Sequence, residues 1–229
     1  MTFPTPCTPP DTTDTSSTRS TRSIGISNKF WTNGQTLRIA ITRYDEAMFQ
    51  AVVNAINQWA PHVNLKFEFI ELDDNDELYE GDIRILLSHL KNGAGSSELG
   101  TDALKTPKHS PTMVVGIDYE SPLFATIVMH EFGHALGVEH EHQHPDATLD
   151  WNTPAIYREF KKAGWTEEQI YLNVLKKFHR SQGHQLTYDP TSIMHYSFPA
   201  SVMWDKKAIP RNIGLSEQDI QFISSIYPR

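Results

Sequence analysis

The chain has a single cysteine, Cys7, in 229 residues, so no disulfide can form within it. A domain of this length can bury enough core to stand without one, so the absence fits a reducing compartment without requiring it. No run of about 18 apolar residues occurs, and nothing is expected to span a membrane. The first 25 residues lack the apolar stretch of a secretory signal. The expected location is therefore outside the cell if a signal has been removed, and the cytoplasm otherwise. Positive charge is not in excess either, with 20 basic residues against 28 acidic ones and a net charge of −8. That excludes the broad cationic surface that phosphate backbones select, so nucleic acid is not an expected partner. The composition is that of one globular domain built of two lobes, and a monomer is expected.

Residues 1–23 contain eight Thr, four Ser and four Pro, too little apolar surface for a core. Residues 1–25 therefore read as a tail or pro-segment ahead of a domain over 26–229. Leu37, Ile39 and Ile41 alternate as in a strand. Asp45 is placed to cap a helix carrying Met48, Val52, Ala55, Ile56 and Trp59, which Pro61 stops. Val63, Leu65, Phe67 and Phe69 alternate again, and short apolar runs at Ile83–Leu87 and Met113–Ile117 predict two further strands. Between two strands lies the acidic loop Asp73–Glu77. It lacks the glycine and distal glutamate of a helix-loop-helix calcium site, so it reads as a solvated turn, and no residue pattern supports calcium.

Ser121-Pro122 predicts a helix N-cap with proline at the first helical position, and that helix should run to Gly137. Further on, Thr153-Pro154 opens a helix, Thr166 with Gln169 forms a capping box, and Ser216 starts a last helix. Strands with helices come first, then helices with irregular loops. The fold class is α+β, with a lobe boundary at Gly137 that divides 26–137 from 138–229.

Five of the 11 histidines lie between positions 130 and 144. His130 and His134 stand four apart, one helical turn, so both imidazoles point the same way and can share one metal ion. Glu131 sits about 100° round the helix, where it can reach a water on that metal without being a ligand. Gly137 lets the chain leave the helix so that His140 can supply a third nitrogen. Three nitrogens leave one zinc position open, the arrangement of a catalytic site rather than a closed structural one. Chance gives His-Glu-x-x-His about 0.03 times in a chain of this composition, and on the order of 10⁻⁴ times with the Gly and third His added. An amphipathic helix that merely carries histidines would place them where Leu serves better.

Here the sequence resembles the metzincin zinc endopeptidases, whose signature is His-Glu-x-x-His-x-x-Gly-x-x-His followed by a methionine-bearing turn. Ser192-Ile193-Met194-His195-Tyr196 matches that turn, with Met194 placed 54 residues past His140. Met-His-Tyr and the Glu141 that follows the third His are similar to the astacins. Weaker likenesses are Trp31-x-Asn33-Gly34, Gly95-Ser96-Ser97-x-x-Gly100, Leu215-Ser216-x-x-Asp219-Ile220 and Ile226-Tyr227. The resemblance implies a zincin-like fold with a twisted, mostly parallel sheet, two long helices and a cleft between lobes. It also implies one Zn²⁺ on His130, His134 and His140. Glu131 would act as general base, and Tyr196 as a fifth ligand that swings away to steady the transition state. Animal astacins usually carry two disulfides and an Arg four residues after the third His. Here no disulfide is available and that position is His144, so the chain looks like a disulfide-free microbial or fungal relative.

Met194 is expected to pack beneath the site as a floor rather than to bind metal, and His195 and Ser192 to be structural. His142 and His144 should face solvent or support the ligands from behind. Gly95-Ser96-Ser97 reads as an edge-strand turn lining a peptide cleft rather than a phosphate cradle, since no lysine follows it. His62, His89, His109, His179 and His184 give no spacing signal. Cys7-Thr8-Pro9-Pro10-Asp11 resembles the Cys-x-x-Pro-Asp core of the matrix metalloproteinase pro-segment, although Pro6 stands where that family has Arg. The resemblance implies a latent form with the Cys7 thiolate on the zinc. Cleavage at Arg19 or Arg22 would activate it, and a new amino terminus near Ser23–Ser27 would pair with Glu141. The alternative function is a zinc-holding protein that binds a peptide without cutting it. Such a protein could lose Glu131 and Tyr196, and both are present. An exopeptidase is a third reading.

Overall fold

The structure is a computed structural model describing residues 28–42, 45–72, 80–88, 94–116, 118–179 and 187–229. Cys7, Arg19, Arg22, Ser23–Ser27, the acidic loop Asp73–Glu77, His89 and His184 lie outside the described residues. Strand β1 (Thr36–Thr42) forms where the apolar residues alternate, and Leu37, Ile39 and Ile41 are fully buried. Helix α1 (Glu46–Ile56) follows, with the Asp45 carboxylate accepting from the Met48 amide. Then come β2 (Lys66–Leu72), β3 (Ile83–Leu87), β4 (Ala94–Ser97) and β5 (Met113–Gly116). The sheet order is β2-β1-β3-β5-β4, parallel except for β4, which runs antiparallel at the edge. The alternation that starts at Val63 becomes a strand only at Lys66. Its ladder partner is Thr36, the first residue of β1, and before that point the ladder gives way to single bonds, the Gly34 amide donating to the Asn64 carbonyl and the Asn64 amide to the Tyr227 carbonyl.

Helix α2 spans Phe124–Ala135, and the predicted start, with Ser121 as cap and Pro122 as first helical residue, is corrected by two residues. Ser121 instead closes a tight turn, its carbonyl accepting from the Phe124 amide and its hydroxyl from Leu123. The short-range turn competes with the cap and wins. Almost all of α2 is buried against α1, β4 and β5, so this helix runs through the interior. Its C-terminus would bury orphan carbonyls. Two side chains from distant parts of the chain satisfy them. Trp31 donates from Nε1 to the Ala135 carbonyl at 2.8 Å, and the Tyr227 hydroxyl donates to the Leu136 carbonyl at 2.8 Å while accepting from the Trp31 amide. Replacing Tyr227 with Phe leaves both backbone groups buried and unpaired, so a cost of about 1–3 kcal/mol is expected. Thermal unfolding should register this as a fall of several degrees, at about 2–4 °C per kcal/mol.

Past α2 come α3 (Thr153–Lys162) and the single helical turn α4 (Glu167–Ile170), which opens with the expected Thr166–Gln169 capping box. A π-helical turn over Tyr171–Leu175 continues α4, and α5 (Glu217–Ile226) follows later. The buried apolar residues form two clusters. The larger joins the sheet, α1, α2 and α5, and contains Met194; the smaller joins α3, α4 and the π-turn, and contains Tyr196. The Met194–Tyr196 segment thus lies where the two clusters meet. No helix among the described residues is long and apolar enough to cross a membrane.

Candidate active site

His130 and His134 project from one face of α2, as their spacing predicts. Gly137 follows with φ +95°, a left-handed backbone that side chains resist, and it turns the chain so that His140 returns over the helix end. The ligand-capable atoms of His130, His134 and His140 lie within 4.8 Å of one another, and all three residues are buried. The second ring nitrogens of the two helical histidines are hydrogen-bonded. His130 Nδ1 donates to the Ile193 carbonyl at 2.8 Å, and His134 Nδ1 to the Val138 carbonyl at 2.7 Å. A carbonyl can only accept, so the proton of each ring sits on Nδ1 and the Nε2 lone pair is free.

These lone pairs converge. His130 Nε2 is buried with no hydrogen-bond partner among the described residues, and His134 Nε2 stands 3.0 Å from His140 Nε2. Burial pushes His130 down to about 4 and His134 to about 3, and holds His140 well below the usual imidazole range. All three are therefore neutral at pH 7, the form that binds a cation. Three neutral imidazoles, one with an orphaned buried nitrogen, fit Zn²⁺.

Glu131 is buried beside them, and its Oε2 has no hydrogen-bond partner among the described residues. Burial raises its carboxyl to about 8, and a dication on the neighbouring imidazoles would draw it down again. Met194 is fully buried, and the absence of a side chain at Gly133 of α2 lets its sulfur come close beneath the helix. The Tyr196 ring lies 4.1 Å from that of His140 and 5.6 Å from that of His130, centre to centre. His142 lies flat against Tyr196, at 4.7 Å and 17°, and donates from Nε2 to the Asn173 carbonyl of the π-turn. Neither His142 nor His144 faces solvent, each being 1% exposed. His195 donates to the Tyr196 carbonyl and accepts from the Tyr188 hydroxyl at 2.9 Å. Glu141 turns away from the trio, and its Oε1 accepts from the Asp189 amide at 2.8 Å.

Two residues carry roles that the sequence alone does not assign. Asp219 belongs to the capping box of α5, yet it also accepts from Ser192 Oγ at 2.6 Å and the Ile193 amide at 2.8 Å. It thereby fixes the carbonyl that orients His130. Its Ser-x-x-Asp pattern shows the cap, but nothing local shows the second pair of bonds. Arg211, half-buried, lies close enough to His130 and Tyr196 to bear on their charge, and no motif marks it.

An α+β domain with a mostly parallel sheet and a histidine trio on and just past an interior helix defines a zincin-like metallopeptidase. Residues 24–227 match the model of the Astacin family of peptidases, and the chain belongs to that family. It is a zinc metalloendopeptidase and acts on peptides or proteins. One solved structure of myroilysin is similar with a TM-score of 0.80 at 28% identity, covering 90% of this chain and 99% of that one. A second myroilysin crystal structure gives a TM-score of 0.66 at 28% identity, covering 88% of this chain and 86% of the other. High choriolytic enzyme 1, a hatching enzyme zinc-protease from the medaka fish Oryzias latipes, shares the fold, with a TM-score of 0.59 at 20% identity over 91% of this chain and 98% of that one. No curated protein matches by sequence.

Proposed function

We propose that His130, His134 and His140 hold the zinc, that Glu131 is the general base of peptide hydrolysis and Tyr196 the oxyanion donor, and that the enzyme is made latent with Cys7 on the metal. Bound zinc supplies a Lewis acid that polarises a carbonyl and acidifies water. Glu131 takes the proton of the attacking water and delivers it to the leaving amine. Tyr196 offers its hydroxyl to the charge that develops on the carbonyl oxygen, and it can also serve as a fifth ligand. The exposed side of β4 takes the substrate as an added strand. The position of Glu131 carries this reading: it is buried one residue from His130, with one carboxylate oxygen that no described residue hydrogen-bonds. The neutral imidazoles and the Tyr196 ring packed on them give further support.

Residues 1–25 are then a pro-segment, and 26–229 the catalytic domain in two lobes divided at Gly137. Thiolate is a strong zinc ligand, and prolines beside a cysteine favour an extended chain of the kind that can lie along a cleft. Cleavage at Arg19 or Arg22 frees an amino terminus near Ser23–Ser27, which pairs with Glu141. Glu141, Asp189 and Asp219 line one small pocket with no lysine or arginine among its lining residues. Burial together with the neighbouring Asp219 and Asp189 charges raises the Glu141 carboxyl to about 8. An incoming ammonium would relieve that cost. Casein hydrolysis by the full chain, by Cys7→Ala and by a chain starting at residue 24 tests latency. The full chain should start slowly, and the other two should be active at once. Equal initial rates in all three would contradict it.

A further inference from the structure

Gly95 lies in β4, across from Val115 of β5, and faces α2. Its backbone is not left-handed, unlike Gly34, Gly100, Gly137 and Gly164, so chain conformation alone does not require glycine there. Space does. A Cβ at this position would lie 2.5 Å from Glu131 Oε1, 2.6 Å from its Cγ and 2.7 Å from its Cδ, closer than non-bonded atoms approach. The Glu131 side chain therefore lies directly against the bare backbone of the edge strand. A strand glycine often marks such a close approach.

We infer that Gly95 is a positioning residue: its missing side chain sets where the Glu131 carboxylate rests relative to the strand that receives the substrate. This rests on the reading of Glu131 as general base. The two functions meet in one wall. The backbone edge of β4 offers hydrogen bonds to a peptide, and its inner face at Gly95 limits how far the carboxylate can lie from that peptide. A methyl group here meets Cγ as well as the carboxylate of Glu131, so the side chain must turn about its Cα–Cβ bond and carry the carboxylate aside. The loss falls on geometry, and a misplacement of about 1 Å can cost about 10² in rate.

The test is Gly95→Ala in the full chain after activation, with zinc content, melting temperature, KM and kcat measured. The expected result is unchanged zinc, a melting temperature and KM close to wild type, and kcat lower by about 10²-fold. The same substitution is then made in two backgrounds. With Glu131→Gln, which keeps the bulk and removes the base, it should cause no further loss of rate. With Glu131→Ala, which removes the bulk, it should leave melting unchanged. That second comparison also decides the case if Gly95→Ala alone folds poorly, because removing the Glu131 side chain should then restore folding. Wild-type kcat in a zinc-loaded Gly95→Ala enzyme overturns the inference. So does an equal loss in both the wild-type and Glu131→Gln backgrounds, or instability that persists with Glu131→Ala. A near wild-type rate for Glu131→Gln by itself removes the general-base reading instead, so the two failures are distinguishable.

Discussion

Glu131→Gln is expected to lower peptide hydrolysis by about 10²–10⁴-fold while zinc stays bound, because a positioned proton acceptor contributes that much to such a reaction. The amide matches the carboxylate in size, so it fits the space between α2 and the bare backbone of Gly95. Among the described residues, the group able to hold a metal consists of the three histidines, so the substitution should leave its geometry intact. Substrate affinity should change little, and the fall should appear in kcat. Activity and metal content measured on the same purified sample check this. A rate near wild type with a full complement of zinc contradicts the assigned role.

Tyr196→Phe is expected to cost about 10²–10³ in kcat, the usual effect of removing one oxyanion donor. The ring that remains keeps its contacts, since His142 stacks on the ring face and His140 packs beside it. The backbone stays fixed too, because the Tyr196 carbonyl accepts from His195 Nδ1. A loss in kcat with KM and melting temperature retained identifies a hydroxyl that acts in the transition state. An unchanged kcat contradicts the donor role, and a large fall in melting temperature would point to a structural hydroxyl.

What the sequence reveals about this site is local. His130, His134, Gly137 and His140 fall within three helical turns, so helical spacing pairs the first two, Gly137 marks the turn that returns the third, and the trio forms as expected. The capping boxes at Thr166–Gln169 and Ser216–Asp219 are short-range as well, and both form. Local signals fail where two of them compete. Ser121 carries the marks of an N-cap, but it closes a turn and leaves the helix to begin at Phe124.

Contacts between remote segments carry no such signal. The weak likenesses around Trp31 and Tyr227 give no hint of their task, which is to hold the end of α2 just before the turn at Gly137. The position of His140 depends on that turn. Asp219 likewise links α5 to the Ile193 segment and through it to His130. Gly95 looks like an ordinary strand glycine until Glu131 is seen lying on it. A single sequence shows which residues can do the chemistry, and the long-range packing shows what aims them.

The central claim, a zinc-dependent cut at internal peptide bonds, is tested most directly by digesting a peptide library with and without a chelator and locating the cuts by mass spectrometry. The activated enzyme should cut internal bonds, lose all cutting with the chelator, and regain it when zinc is restored. Cuts confined to chain ends, cuts that survive zinc removal, or no cuts by a zinc-loaded chain freed of residues 1–25 would contradict it.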